Sequence, residues 1–373
     1  MSRKLRRGTC EPVHRVEAAR AGLPELTALL AEAEPWTPGE KLYGVRVAGR
    51  RGFVGSSGRL SIAPSPMAAV ELFGFNDGLL ILEVNGRRGI LDVATREVIP
   101  PVFESADLGG FSEGLWAVQQ GRKWGFIDRD GGWRIEPQFA EVKRFSGGLA
   151  AVRRGELWGF VDDLGELVIP PRFAGAGPFS EGLCACEDAD THAWGFVDRD
   201  GAWAIGPAYT FTAQFSEDRG MVARDKLSGF IDHSGREVIA PTYQSVTTFS
   251  EGLAKTEQPR PGADAFYRTR YVYIDVDGEP VLELPAGDYP YIFTQGLAAV
   301  GRPVHGERRW GFVDRRGATV VPFQYDEACV FDELGFGFVR TREGWHVIDT
   351  RGEYLVRVSE VGTLVGRTGQ LWP

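Results

Sequence analysis

Histidine and cysteine, the residues best suited to acid–base or metal chemistry, are few and scattered along the 373-residue chain. The histidines have no second histidine or cysteine at a spacing typical of metal sites; they are His14, His192, His233, His305 and His346. The chain also contains no G-x-S-x-G motif, no phosphate-binding G-x-x-x-x-G-K-S/T loop and no strand-linked G-x-G-x-x-G. The sequence therefore predicts no catalytic residue, no cofactor and no metal ligand, and we expect the protein not to be an enzyme.

Two further patterns could carry metal chemistry. Residues 128–131, 198–201 and 275–278 read Asp-x-Asp-Gly, as a calcium loop begins, but lack its further oxygen ligands and distal glutamate. We interpret them as turns, with weak divalent-ion binding as the alternative. The four cysteines, at positions 10, 184, 186 and 329, have no C-x-x-C spacing, so we expect reduced, buried thiols.

Composition and charge narrow the class of protein. The chain contains 49 glycines, 23 phenylalanines and 10 tryptophans, which favours tight turns and half-buried strands. A formal net charge of -9 argues against a nucleic-acid partner. Because no apolar run approaches the roughly 18 residues of a membrane span and no secretory signal is recognisable, we expect a cytoplasmic protein without a membrane partner.

A Trp-Gly-Phe-(Val/Ile)-Asp string recurs along the chain. It occupies residues 124–128, 158–162, 194–198 and 310–314, with weaker copies at 52–54, 89–92, 229–232, 272–275 and 346–349. The glycine position advances in steps of 37, 36, 34, 36, 34, 43, 39 and 35 residues. Such a period predicts about nine tandem repeats.

Two further motifs keep the same spacing. A Phe-Ser-Glu-Gly-Leu string begins at Phe111, Phe145, Phe179 and Phe249, and more loosely at Phe75, Phe215, Phe293 and Phe331. An Ile/Val-x-Pro string, with the proline one residue earlier in the last copy, begins at Ile99, Ile135, Ile169, Ile205, Ile239 and Val321. Three coupled motifs in one period make chance an inadequate explanation.

The composite resembles the WG-containing repeat, a mostly bacterial family, over roughly residues 45–356. The resemblance implies a β-rich repeat architecture and, for most members, an unassigned function presumed to be interaction. The chain departs from the family pattern where Arg51, Arg88, Ser228 and Tyr271 occupy the tryptophan position.

Each repeat is predicted to be a three-stranded antiparallel β-meander, since short apolar runs alternate with glycine turns and end at proline. In the middle strand, Trp158 and Phe160 share one face, and we interpret both as stacking core between repeats. The recurrent Gly159 indicates close approach of a neighbouring backbone or ring. An aromatic platform for sugars or bases is the alternative for these residues.

The predicted fold is therefore all-β, an open superhelical array of meanders, with a closed β-propeller as the alternative. Residues 1–44 form a tail and a helical cap beginning near Leu23, residues 45–356 the array, and residues 357–373 a C-terminal tail or cap. The cap is predicted because Leu23, Leu26 and Leu30 would lie on one helical face and Pro24 would occupy the first turn of that helix.

The longest step, 43 residues, contains an insertion between two predicted strands. Insertions in repeat proteins lie in surface loops and often on the binding face. This one contributes aromatic and arginine side chains, which are enriched at interface hot spots; they are Arg260, Phe266, Tyr267 and Arg268. We expect a non-enzymatic protein-interaction module that binds another protein there, one form being an inhibitor or immunity-type partner of another bacterial protein. The alternatives are a glycan- or peptide-binding repeat protein and a rigid spacer.

Overall fold

The structure of the chain is a computed structural model. It describes residues 16–17, 43–47, 50–54, 60–62, 70–76, 78–259, 269–332, 335–356 and 363–364, with side chains at 78–259, 269–332 and 335–355. The predicted helical cap lies outside these ranges. The described residues form strands and turns, and among them no helix is long and apolar enough to cross a membrane.

The chain divides into two compact units. The first comprises residues 1–171 and 365–373, and the second residues 172–364. The first unit contains β1 (Val16–Glu17), β2 (Tyr43–Val47), β3 (Arg50–Val54), β4 (Leu60–Ile62), β5 (Val70–Asn76), β6 (Leu79–Val84), β7 (Arg87–Asp92), β8 (Glu97–Phe103), β9 (Ser105–Ala106), β10 (Trp116–Gln120), β11 (Lys123–Ile127), β12 (Trp133–Phe139), β13 (Glu141–Val142), β14 (Ala150–Arg154), β15 (Leu157–Val161) and the start of β16 (Leu167–Ser180).

The second unit contains the rest of β16 and the strands that follow it. These are β17 (Leu183–Asp188), β18 (Trp194–Val197), β19 (Trp203–Tyr209), β20 (Phe211–Ser216), β21 (Arg219–Arg224), β22 (Leu227–Ile231), β23 (Glu237–Tyr243), β24 (Ser245–Val246), β25 (Ala254–Pro259), β26 (Thr269–Ile274), β27 (Pro280–Glu283), β28 (Tyr289–Thr294), β29 (Leu297–Val304), β30 (Glu307–Asp314), β31 (Thr319–Tyr325), β32 (Glu327–Ala328), β33 (Gly337–Thr341), β34 (Gly344–Ile348), β35 (Tyr354–Val356) and β36 (Thr363–Leu364).

Consecutive strands pair as small antiparallel meanders, which confirms the all-β prediction. In the first unit the sheet orders are β2-β3-β4, β1-β8-β7-β6-β5, β12-β11-β10-β9 and β13-β14-β15-β16. Strand β16 continues the last of these sheets through β17-β18-β19, and the second unit repeats the four-stranded pattern in the sheets β20 to β23, β24 to β27, β28 to β31 and β32 to β35.

The prediction of three strands per repeat was wrong by one strand. The additional strand precedes the Phe-Ser-Glu-Gly turn, and in β9 it consists of Ser105 and Ala106 paired with Gln119 and Val118. A strand of two residues has no alternation of polar and apolar side chains for sequence periodicity to detect.

The Phe-Ser-Glu-Gly-Leu motif forms a two-residue hairpin turn. Ser112 and Leu115 exchange two backbone hydrogen bonds of 2.9 and 3.0 Å. Glu113 and Gly114 both have positive φ, at 51° and 83°, as a type I′ turn requires. The motif glycine therefore fits this turn because a left-handed conformation carries no side-chain penalty there.

The same motif also joins consecutive repeats. The Ser112 hydroxyl donates to the carbonyl oxygen of Phe145 in the next repeat at 2.7 Å, and the Glu113 carboxylate accepts the Gly148 N–H at 2.9 Å. The serine bond recurs at Ser180, Ser216 and Ser250, and the glutamate bond at Glu181, Glu217 and Glu251. The motif therefore holds neighbouring sheets together through both side chains.

The glycine of the Trp-Gly-Phe motif is required by a neighbouring strand. Trp124 pairs with Phe139 but Phe126 pairs with Ile135, so β12 bulges between these points. A Cβ atom on Gly125 would lie 2.4 Å from the Ile135 carbonyl oxygen. The equivalent distance is 2.3 to 2.6 Å at Gly89, Gly159, Gly195, Gly229 and Gly311. The predicted close approach of a backbone is confirmed.

Phenylalanines form the core between consecutive sheets. Phe126 packs against Phe145 of the next sheet with ring centroids 4.9 Å apart. The contact recurs in the pairs Phe196–Phe215, Phe230–Phe249, Tyr273–Phe293 and Phe312–Phe331. The prediction of a stacking core is thus confirmed for the motif phenylalanine.

The motif tryptophan is less buried than the sequence predicts. Trp310 is buried, whereas Trp124, Trp158 and Trp194 are half-buried. The tryptophan lies two residues closer to the hairpin tip than the phenylalanine, so part of its ring reaches the rim of the core.

Gly195→Ala tests the need for the motif glycine. The new methyl group would lie 2.5 Å from the Ile205 carbonyl oxygen, and we expect overpacking to lower the free energy of unfolding by about 1–3 kcal/mol. Gly206→Ala in the same repeat is the control, because a Cβ there meets no atom within 4 Å; its change should stay within about 0.5 kcal/mol. Urea unfolding of both variants measures the difference, and equal effects would contradict this explanation.

Phe196→Ala and Trp194→Ala test which aromatic residue holds the core. Phe196 is fully buried against Phe215, so its truncation should cost about 3–5 kcal/mol. Trp194 is half-buried and should cost roughly half of that. If calorimetric and urea measurements give the larger loss for Trp194→Ala, the tryptophan row is the principal core.

Candidate partner-binding surface

The predicted binding residues belong to the connection between β25 and β26. Arg260, Phe266, Tyr267 and Arg268 lie outside the described residues. The two flanking strands are paired as far as Pro259 and Thr269. The insertion therefore continues directly from this hairpin.

The next hairpin along the chain is also longer than its counterparts. Strands β29 and β30 form eight residue pairs, ending at Val304 and Glu307, whereas β14 and β15 form five. The two repeats with sequence steps of 43 and 39 residues therefore both depart from the standard hairpin. The 39-residue step between repeats was a sequence signal from which the lengthened β29–β30 hairpin could have been predicted.

Four aromatic side chains, here called the aromatic cluster, connect these two repeats: Tyr271, Tyr289, Tyr291 and Trp310. The Tyr271 and Tyr289 rings meet edge to face at 5.7 Å. Tyr291 stacks on Trp310 at 5.1 Å and 19°. Tyr271 follows Thr269 by two residues, about 7 Å along the strand, so the cluster begins close to the base of the insertion.

Two cations lie against the aromatic cluster. The Lys255 ammonium is 5.4 Å from the Tyr271 ring centre and 5.7 Å from that of Tyr289, and it donates to the Pro290 carbonyl oxygen at 3.1 Å. The Arg308 guanidinium lies 5.4 Å from the Tyr289 ring. Within the described ranges neither cation makes an ion pair with a carboxylate. The cluster therefore combines aromatic rings with two cations, and the carboxylates of Glu257 and Glu327 also act on its side chains.

Burial changes the protonation of several groups in the cluster. It lowers the pKa of Lys255, against the opposing effect of the Glu257 carboxylate. It raises the pKa of the Tyr271 and Tyr291 hydroxyls. The tyrosines therefore stay protonated near neutral pH and can donate hydrogen bonds to a ligand.

The framework around the aromatic cluster fixes its geometry. A Cβ on Gly301 would lie 2.9 Å from Cε2 of Trp310, so only glycine lets this ring lie over β29. Buried Asp288 accepts bonds from Arg302 of 2.9 Å at Nε and 2.6 Å at Nη2, which ties β28 to β29. The guanidinium also lies 4.2 Å from the Phe323 ring.

Two tyrosines of the aromatic cluster present their rings to solvent. Tyr289 is 39% and Tyr291 37% exposed. Other repeats have polar residues at the register of Tyr289, namely Ser105, Glu141, Ser245 and Glu327. Phe211, which is 51% exposed, has the same register, but among the described residues no lysine or arginine lies over its ring. Tyr289 and Tyr291 lie outside the repeat motifs, so no pattern in the sequence predicted them as binding residues.

The aspartate turns are built by internal hydrogen bonds. Asp128 Oδ1 accepts the N–H groups of Asp130 and Gly132 at 3.0 and 2.9 Å, and the pattern recurs at Asp198 and Asp275. At Asp232, hydrogen bonding from Ser234, then from Arg236, lowers the pKa of the carboxyl to about 2. These contacts support the interpretation of the motif as a turn.

The cysteines of the described residues are thiols. Cys184 and Cys186 are buried, with their sulfur atoms 3.8 Å apart on one face of β17. Burial raises the pKa of Cys329 to about 12. The prediction of buried thiols is confirmed for Cys184 and Cys186.

The sequence matches the family model of the WG-containing repeat at residues 95–124, 124–158, 158–185, 194–227, 229–258 and 310–345. These matches together cover just over half of the chain. The protein therefore belongs to the WG-containing repeat family. No curated protein matches the chain at a significant level.

Solved structures resemble this chain at low sequence identity. The crystal structure of a eukaryotic initiation factor is 10% identical, covers 85% of this chain and 95% of its own, and has a TM-score of 0.58. Hsv2 of Kluyvelomyces marxianus is 14% identical over 75% and 96% of the two chains, with a TM-score of 0.38. AztD of Citrobacter koseri is 11% identical over 87% and 95%, with a TM-score of 0.36. The similarity to the initiation factor is one of fold.

Proposed function

We propose that the protein is a non-enzymatic interaction module that binds another protein through the aromatic cluster and the adjoining insertion. The observation that carries the proposal is the pair of exposed tyrosines, Tyr289 and Tyr291, beside two cations in the two repeats with lengthened hairpins. Tyrosine, tryptophan and arginine dominate interface hot spots. Arg260, Phe266, Tyr267 and Arg268 extend the same chemistry along the chain.

Charge identifies the kind of partner. The chain carries a net charge of -9, and at the aromatic cluster two cations, Lys255 and Arg308, lie against the rings while the Glu257 and Glu327 carboxylates also act on it. Complementary charge speeds encounter and selects partners. A protein segment whose apolar side chains cover Tyr289 and Tyr291 and whose acidic side chains meet Lys255 and Arg308 fits this surface, and an inhibitor or immunity-type role is one form of such binding.

A glycan- or peptide-binding protein is the alternative. An extended ligand would favour a row of exposed aromatic side chains along one edge. In the described part of the chain, the exposed aromatic residues are Tyr289 and Tyr291 in one cluster and Phe211 alone. A single local patch supports the protein partner, and it also argues against a rigid spacer.

The proposal includes a cytoplasmic location and no nucleic-acid or membrane partner. The exclusion of a nucleic-acid partner rests on the acidic net charge, since such a partner requires a basic surface.

The additional strand in each repeat bears on the two predicted arrangements of the sheets. Propeller blades are four-stranded, so four-stranded meanders support the closed propeller over the open superhelical array.

Small-angle X-ray scattering tests this proposal. A compact particle of this length has a radius of gyration of about 21 Å, and a clearly larger value with an elongated distance distribution would support the open array.

Loss of the exposed tyrosines tests the binding surface. We expect Tyr289→Ser combined with Tyr291→Ser to weaken partner binding by at least about 30-fold, which is the loss expected if only one of the two residues contributes the roughly 2 kcal/mol of a hot spot. Capture from lysate of the source organism, with quantitative mass spectrometry, identifies the partner, and calorimetry with the purified partner measures the loss.

Two further variants complete this experiment. Phe211→Ser removes an exposed ring at the same register in another repeat and should leave binding unchanged. Replacement of residues 260–268 by a short Gly-Ser linker should weaken binding without altering the melting temperature, because closure entropy depends weakly on loop length. Full binding by the double tyrosine variant, or equal loss with Phe211→Ser, would exclude the aromatic cluster as the interface.

A further inference from the structure

One repeat differs from the others at two positions, 218 and 233, which lie close together in the fold. The second residue of its Phe-Ser-Glu-Gly turn is Asp218, where other repeats have glycine: Gly114, Gly182, Gly252 and Gly296. The residue after its turn aspartate is His233, where three other repeats have arginine: Arg129, Arg199 and Arg315. Both replacements introduce side chains that can bind a metal ion.

The fold brings these two residues to a glutamate of the preceding repeat. Nε2 of His233 lies 3.5 Å from Oε2 of Glu181, and Nδ1 lies 3.8 Å from Oδ1 of Asp218. One possible ligand atom from each residue lies within 4.8 Å of the others. A tetrahedral zinc ion with bonds of about 2.1 Å holds its ligand atoms roughly 3.4 Å apart. Because an imidazole binds one ion through one nitrogen, side-chain rotations must bring both carboxylates toward the same nitrogen of His233.

Two contacts hold the three residues in place. The Glu181 carboxylate accepts the Asp218 N–H at 3.1 Å, which is the bond between repeats that the family motif provides. The imidazole of His233 stacks on the Phe215 ring at 4.3 Å and 23°. The imidazole plane and one carboxylate are therefore oriented before any ion binds.

The equivalent place in a later repeat shows what the replacements change. There the Arg315 guanidinium lies 3.5 Å from the Glu251 carboxylate and also donates to the Glu251 carbonyl oxygen. At Glu181 the permanent cation is replaced by an imidazole, which is fully charged only when protonated, and a second carboxylate is added. A divalent cation would balance this charge, whereas an arginine needs no such ion.

We propose that Glu181, Asp218 and His233 form a site for a first-row divalent metal ion such as Zn²⁺. Imidazole with carboxylates suits these ions, and the side chains of Asp218 and His233 are 82% and 36% exposed, which leaves room for water at the remaining positions. The three residues come from three separate turns, so no spacing along the chain indicates the site.

Calorimetric titration of the metal-stripped, untagged full-length protein with ZnCl₂ tests the site. His233→Arg keeps a cation beside Glu181 and Asp218→Gly restores the glycine that suits the φ of 61°, so both variants should fold. We expect each to lose one equivalent of bound Zn²⁺ relative to the original chain, or to bind it at least tenfold more weakly, since even outer-sphere partners contribute 10- to 100-fold. Zinc should raise the melting temperature of the original chain more than that of either variant.

His192→Gln is the control, because His192 lies 3.0 Å from the Glu187 carboxylate and, among the described residues, belongs to no group of three possible ligands. It should retain the bound equivalent. Unchanged stoichiometry and affinity in His233→Arg and Asp218→Gly would refute the site and leave His233 with only the ion-pairing role of Arg315. A protein that binds no zinc at all would refute it equally.

Discussion

The contact between a phenylalanine of one sheet and a phenylalanine of the next is the interaction on which the rest of the structure depends. In the pair Phe126–Phe145 the first ring comes from a middle strand and the second from the turn of the following repeat. A four-stranded sheet with two apolar faces is not stable alone, so each repeat is completed by its neighbours. The serine and glutamate bonds of the turn fix the spacing at which those rings meet.

The three sequence motifs are coupled through this contact. Where the following strand bulges across the middle strand, the Ile135 carbonyl oxygen lies over position 125 and excludes every side chain. The bulge brings Ile135 and Phe139 onto the same core face as Phe126. Glycine, the Ile-x-Pro string and the phenylalanine therefore recur together because one local geometry requires all three.

The motifs allowed much of the fold to be predicted, but they carried no information about how deeply each side chain is buried or about the two-residue strands. Period two placed Trp194 and Phe196 on one face correctly, yet burial depends on distance from the hairpin tip, and only packing decides that. The two-residue strands, such as β9, were missed because they contain too few side chains to show a pattern. For the candidate site, the insertion could be predicted from the 43-residue step between repeats. Tyr289 and Tyr291 could not, because they form a cluster only through contacts with Tyr271 and Trp310 of other strands.

The positions available for function follow from where the core lies. Because the sheet faces in each unit pack against neighbouring sheets, a partner can reach mainly the hairpin tips, the turns and edge strands such as β28. At the hairpin tip of β29 and β30, the two additional pairs Pro303–Arg308 and Val304–Glu307 continue the existing ladder and leave the Phe312–Phe331 contact in place. Likewise, Asp218 and His233 occupy turn positions while Phe230 keeps its contact with Phe249. Changes at tips and turns can therefore create binding chemistry in one repeat without removing the contacts that hold that repeat to its neighbours.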